Sequence, residues 1–228
     1  MKSHLTALSL PCTLLILSLL LPVLLPAQEL DGYQEAFVAH KSGRQEQALQ
    51  LVDALLLKGP NPKALELKGR ILHSLNNYKE AENFYFSALE QDPAMTSPHY
   101  HLGEAAFKRK AWSEAIQYYR VHINKVKESP DSRLKTVYSY LAAGNLPEAG
   151  RWITTLDPVD DFNPAYYFAR AAMAFSNGKT QEYNETLQQA RTIYGNEVFN
   201  SYEPDLLFLL KNLPKSESQA PPPAQKKP

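Results

Sequence analysis

One period constrains this chain more than any other feature. Small or packing residues fall at Ala48, Ala81, Ala115, Ala149 and Tyr183, in steps of 33, 34, 34 and 34. Turn-forming positions fall at Gly43, Asn76, Lys110, Gly144 and Gly178 with the same steps. Gly69 and Gly103 are 34 apart, as are Tyr78 and Trp112, and Tyr85 and Tyr119. Several columns sharing one period mark an array of equal units, each burying its apolar face on its neighbour.

Every unit contains two helical patterns. In the second, Leu65, Leu72 and Leu75 recur at helical spacing between Pro62 and Leu75. Asn76-Asn77 breaks the pattern, because asparagine tolerates the left-handed turn conformation. From Tyr78 to Gln91 a stripe of Ala81, Phe84, Tyr85, Ala88 and Leu89 predicts a second helix. Asp92-Pro93 ends it, since the residue before a proline disfavours helix. Gly69 and Ala81 carry little side chain, as a close crossing of the two helices requires.

These columns resemble the tetratricopeptide repeat, a helix–turn–helix unit of 34 residues. The second unit matches with Leu65, Gly69, Leu72, Tyr78, Ala81, Tyr85, Ala88 and Pro93, and the third with Leu102, Gly103, Trp112, Ala115 and Tyr119. Lys68 departs from the usual leucine and His122 from the usual small residue, and the third unit lacks the closing proline. The first unit keeps Ala36, Gly43, Ala48 and Pro60; the fourth keeps Val137, Tyr140, Gly144 and Ala149. The fifth keeps Ala171, Gly178 and Ala190, with Tyr183 in place of the alanine at the helix crossing. The resemblance implies an all-α, right-handed α-solenoid of about five helix–turn–helix units, over residues 29–61, 62–95, 96–129, 130–163 and 164–197.

An array exposes an apolar face at its end and needs a cap. Pro204 suits the first turn of a helix, and Leu206, Leu207, Leu209, Leu210 and Leu213 then make a broad apolar face. A 34-residue step would start a sixth unit near Val198. The pattern starts about five residues later, so a capping helix over 203–213 is expected to close a repeat domain of residues 28–213. Residues 214–228, rich in proline and lysine, read as a disordered tail.

At the other end, Lys2 and His4 precede an apolar run from Leu5 to Leu25, then Pro26-Ala27, with polar sequence from Gln28. This is the pattern of a secretory signal peptide over residues 1–27. The alternative is an uncleaved anchor over residues 5–25, because about 20 apolar residues span a bilayer. Pro11, Pro22 and Pro26 interrupt that run. Both readings export the rest of the chain, to a periplasmic or extracellular place. Cys12 is the one cysteine and lies inside the leader, so a mature chain has no thiol for a disulfide, a metal site or a nucleophile.

Chemistry is not expected. The chain has 24 basic and 24 acidic side chains, a balance that does not point to nucleic acid or a membrane surface. No Gly-rich phosphate loop or His-Glu-x-x-His motif is present. His99 and His101 stand two apart on a helix and point away from each other. Asp160-Asp161 suits a helix-capping turn, and the glycosylation sequon at Asn184 falls in a predicted helix. The expected protein is therefore non-enzymatic, without catalytic residues, metal or cofactor.

In the resembled family the first helix of each unit lines a concave groove. The resemblance therefore implies a groove of Tyr33, Phe37, His40 and Lys41; Lys63, Glu66, Arg70 and His73; Tyr100, His101, Glu104, Phe107 and Lys108; Lys135, Tyr138 and Leu141; Phe168 and Phe175. Cations and aromatics with two acids suit a protein or peptide partner bearing acidic and apolar side chains. The competing reading of these aromatics is inter-unit core. Family members that clamp chaperone tails carry a lysine and an asparagine where Tyr33 and Phe37 stand, so that mode is not expected. The expected function is an exported interaction scaffold. The alternative is a structural subunit of an envelope or secretion assembly, packing through its convex face or last helix.

Overall fold

A computed structural model describes residues 32–160 and 162–214. The leader, Asp161 and the tail beyond Pro214 lie outside the described residues. The described secondary structure is helical: α1 (Gly32–Lys41), α2 (Gln45–Leu56), α3 (Pro62–Ser74), α4 (Tyr78–Gln91), α5 (Ser97–Lys108), α6 (Trp112–Lys125), α7 (Pro130–Ala142), α8 (Leu146–Ile153), α9 (Ala165–Ser176) and α10 (Thr180–Asn212). Consecutive helices pack on each other along the chain, as stacked helix pairs do. The odd-numbered helices α1 to α9 open the five units and are called A helices below; their partners are B helices.

Each unit bends in the same way. Gly43, Asn76, Lys110, Gly144 and Gly178 all have positive φ, between 63° and 76°. At each bend the next amide donates back to a carbonyl five residues earlier: Arg44 to Ala39, Asn77 to Leu72, Ala111 to Ala106, Asn145 to Tyr140 and Lys179 to Ala174. This bond closes the A helix by giving an otherwise orphaned carbonyl a partner. The turn column read from the sequence is therefore a backbone requirement. Two units meet it without glycine, and Asn76 and Lys110 hold a conformation that costs an L-residue about 1–2 kcal/mol.

The crossing inside a unit also follows the sequence. A Cβ at Gly69 would lie 2.5 Å from Cε1 of Tyr85, and one at Gly103 would lie 2.5 Å from Cε1 of Tyr119. Both rings are fully buried. In the other units the pair of residues at these places is Ala36 with Val52, Val137 with Ile153, and Ala171 with Leu187. Glycine goes with the large ring, and a side chain goes with the smaller partner, as close packing demands.

The departures from the repeat pattern have their own partners. Lys68 pairs with Asp53 at 2.7 Å and lies 4.4 Å from the centre of the Phe84 ring. His122 meets the Ser132 hydroxyl at 2.8 Å, tying the third unit to the fourth. Tyr183 is half-buried and packs edge-on against Phe175 at 5.4 Å. Asp160 does not cap α9: its Oδ1 accepts from the amides of Phe162 and Asn163 and closes the turn ahead of the helix, whose first residue is Ala165.

The predicted capping helix needs correction. α10 is two helices joined at Gly195, whose φ of 75° and ψ of 170° are not helical. The second, residues 196–212, is called the terminal helix. It starts near the step expected for a sixth unit, not five residues late. Pro204 lies in its interior rather than its first turn. Proline is tolerated there because Pro204 and Asn200, the residue whose carbonyl loses its donor, are both exposed. The backbone at Gly195 is open essentially to glycine alone, which lets one helix end and another begin within a single residue.

Candidate functional site

The A-helix face divides into two halves of different character. In the first half, α1, α3 and α5 present half-buried aromatic and basic side chains. Tyr33 and Phe37 lie with ring centres 6.4 Å apart, and the Arg70 guanidinium sits 5.5 Å from the centre of Phe37. His73 meets Tyr78 edge-on at 5.0 Å, and its Nε2 is buried without a hydrogen-bond partner among the described residues. His101 stacks on Tyr85 and reaches Glu66 at 3.3 Å. Lys41 and Lys63 are exposed at the margin. Burial opposes ionisation of Glu66, but its bonds to His101 and Ser97 outweigh that and hold its pKa below the usual range. Burial lowers the pKa of His40 and His73, with positive neighbours such as Arg70 and Lys108 adding to it.

In the second half the same face is covered by the terminal helix. Tyr202 donates to Asp131 near the start of α7. Asp205 receives Lys108 of α5 at 2.7 Å and Lys135 of α7 at 2.7 Å. Phe208 packs on Phe107 at 5.2 Å and on Trp112 at 6.5 Å between ring centres. Pro214 then comes within 3.5 Å of where a Cβ of Gly144 would sit. These contacts advance along both helices together, so the terminal helix runs in the same direction as α7. Phe199 packs against Phe168 of α9 at 5.1 Å, and Phe199, Leu206 and Leu209 are buried.

At the centre is a chain of ions and hydroxyls. Lys135 is 4% exposed and is held by Glu104 and Asp205 together. Glu104 also accepts the hydroxyl of Tyr119. Burial would raise the Asp205 carboxyl, but Lys135 and Lys108 outweigh it and hold it down to about 2. Burial alone would lower Lys135; Glu104 and Asp205 hold it well above the ordinary lysine value. The two lysines and two carboxylates balance, which is the condition for tolerating buried charge.

Several groove residues implied by the resemblance are therefore interior. Phe107 and Tyr138 have no exposed surface, and Lys135 is buried in the ion cluster. Leu141 and Phe168 are core as well. The cause is the terminal helix, a cover that no local pattern announces. Lys108, half-exposed, is taken by Asp205. Tyr100 and Glu104 stand at the border between the halves. Tyr33, Phe37, His40, Arg70, His73 and His101 come together on the uncovered half, while Phe175 lies apart from it and packs on Tyr183. Sequence reasoning missed Asp205 and Phe208, whose signal was a carboxylate and a ring inside a leucine-rich helix. Among the described residues no group of three or more His, Cys, Asp or Glu could hold a metal ion. No described helix is long and apolar enough to cross a membrane.

Comparison with known proteins agrees with this architecture. Residues 33–96 and 87–133 match the tetratricopeptide repeat family model. A thermophilic tetratricopeptide repeat protein of Thermus thermophilus superposes with a TM-score of 0.62 at 16% identity, over 78% of this chain and 97% of that one. PilF of Pseudomonas aeruginosa gives 0.59 at 15% identity, over 76% and 80%. YrrB, described as a tetratricopeptide repeat protein with an unusual peptide-binding site, gives 0.55 at 18% identity, over 76% and 90%. Comparison with curated proteins returned no match. The chain thus carries tetratricopeptide repeats from residue 33 to residue 133, and its described part has the tetratricopeptide α-solenoid fold.

Proposed function

We propose that this chain is a non-enzymatic, exported interaction scaffold that captures a partner's polypeptide segment on the uncovered half of the A-helix face. The observation that carries this reading is the row Phe37, Arg70, His73 and His101, which among the described residues no other element covers. Arg70 would meet a carboxylate, and the rings would bury the partner's apolar side chains. Glu66 is turned to His101, which leaves the Arg70 guanidinium as the row's cation for a partner. The peptide-binding site described for YrrB shows that this fold can carry such a function. Export rests on the leader pattern over residues 1–27.

The test is a selection of random peptides on the full chain. Acidic peptides with aromatic residues should be enriched. Arg70→Glu should weaken them by roughly tenfold or more, a loss typical of one removed charge-assisted contact, with the circular dichroism unchanged. A selection that enriches nothing, or binding indifferent to Arg70→Glu, would end the proposal.

A further inference from the structure

The covered half of the A-helix face holds more than a cap. Its contacts have the form of ligand recognition: one carboxylate between two lysines, and one aromatic ring three residues later against two others. Asp205 and Phe208 do this from one side of the terminal helix. Without Asp205, the site would keep Lys108, Lys135 and Glu104, a surplus of one positive charge beside Phe107 and Trp112. Lys135 would still have Glu104 at 2.8 Å. The empty site therefore does not strand a buried charge, which is the usual penalty for removing one member of a buried ion pair.

The fit of the terminal helix is also incomplete. The hydroxyl of Tyr138, a fully buried side chain, has no hydrogen-bond partner among the described residues. Its pKa is raised by burial first and then by Asp205, which places it in the field of the same site. A cleft of about 280 Å³, open to solvent on one side, lies between α5, α7 and the terminal helix, lined by Tyr100, Lys135, Tyr202 and Asp205 among others. Protein interiors rarely leave a buried hydroxyl unpaired, and the cleft gives a partner side chain room to enter. The connection to the rest of the array is the single non-helical residue Gly195.

We propose that the face of α5, α7 and the start of α6 is a docking site for a partner helix bearing a carboxylate followed three residues later by an aromatic side chain, and that the terminal helix fills it as an internal ligand until such a helix displaces it. This site is separate from the uncovered half and does not depend on binding there. A partner that supplies an acceptor to Tyr138 and packs into the cleft would hold the site better than the chain's own helix does.

The probe is a fluorescent synthetic peptide with the sequence of residues 196–214, tested on full-length chains. Asp205→Lys sets a cation against Lys108 and Lys135 and should release the terminal helix. The peptide should then bind that variant roughly 30-fold or more tighter than wild type, the scale of a buried charge contact. The same peptide carrying lysine at its Asp205 position should not bind. Equal binding to both chains, or none to the variant, would overturn the proposal.

Because Asp205→Lys could unfold the chain, hydrogen exchange on the wild type gives a second measurement. The amides of residues 196–212 should open at least roughly tenfold faster than those of α7, as a separately releasable element does. Exchange of both only together would overturn the proposal. A dimer that trades terminal helices would also overturn it, by making a second copy the occupant.

Discussion

Phe37 and Tyr138 hold the same place in the first and fourth units, and His40 and Leu141 share another. Phe37 and His40 are half-buried on an open face, whereas Tyr138 and Leu141 are interior. The local helix geometry is shared, so the difference comes from a segment distant in sequence, the terminal helix. Read through the units, the second of these places is His40, His73, Phe107, Leu141 and Phe175. It changes from imidazole to hydrocarbon where the cover begins. Phe175 is 42% exposed although it is hydrocarbon, so the column marks where the cover begins and not where it ends.

The largest expected effect tests that boundary directly. Lys135→Ala would leave Glu104 and Asp205 facing each other with one fewer cation, costing about 3–5 kcal/mol as for other broken buried pairs. Arg70→Ala, on the open face, should cost under about 1 kcal/mol. Equal losses in chemical denaturation would erase the contrast between the halves.

Acid should separate the halves next. Burial lowers the pKa of His40, His73, His99 and His122, all in the first three units. Below their ordinary value of 6.5 the unfolded chain takes up protons that the folded chain resists, so stability falls as pH falls. The Asp205 carboxyl is lowered too, from 3.8 to about 2, but in a more acidic window, so its contribution is whole above pH 3.8 and is lost toward pH 2. Hydrogen exchange along a pH series should show α1 to α4 loosening before the terminal helix. The reverse order would contradict the assignment of these groups.

The smallest effect concerns the bends. Lys110→Gly removes the cost of a left-handed lysine and should stabilise by up to about 1 kcal/mol, or about 2–4 °C in Tm. Gly144→Lys, at the equivalent bend of the fourth unit, should destabilise by a comparable amount. Thermal melts of both variants would show whether the two halves share one turn requirement.

Much of the fold was legible because its determinants are local. The bend column needs a left-handed residue, the crossing needs Gly69 and Gly103, and both repeat at the period of the unit. α4 runs from Tyr78 to Gln91 as its stripe and Asp92-Pro93 indicate. The candidate site was legible only in part, since helical spacing says which residues share a face and not what lies over it. Pro204 reads as a helix start because a proline at the first turn and an exposed interior proline look alike in sequence. Gly195 carried the better signal, a lone glycine directly after a helical pattern.

A stack of identical units contains no instruction for its own length, since every last unit offers the edge on which another could be laid. Gly195 supplies that instruction. By turning the next helix back over α7, it spends the growing edge on the array's own flank. A unit added after residue 194 would have to dislodge Asp205 from its two lysines, whereas one inserted among the first units would leave that closure untouched. The number of repeats is thus terminated from one end, much as a polymer is ended by a monomer that reacts with its own chain.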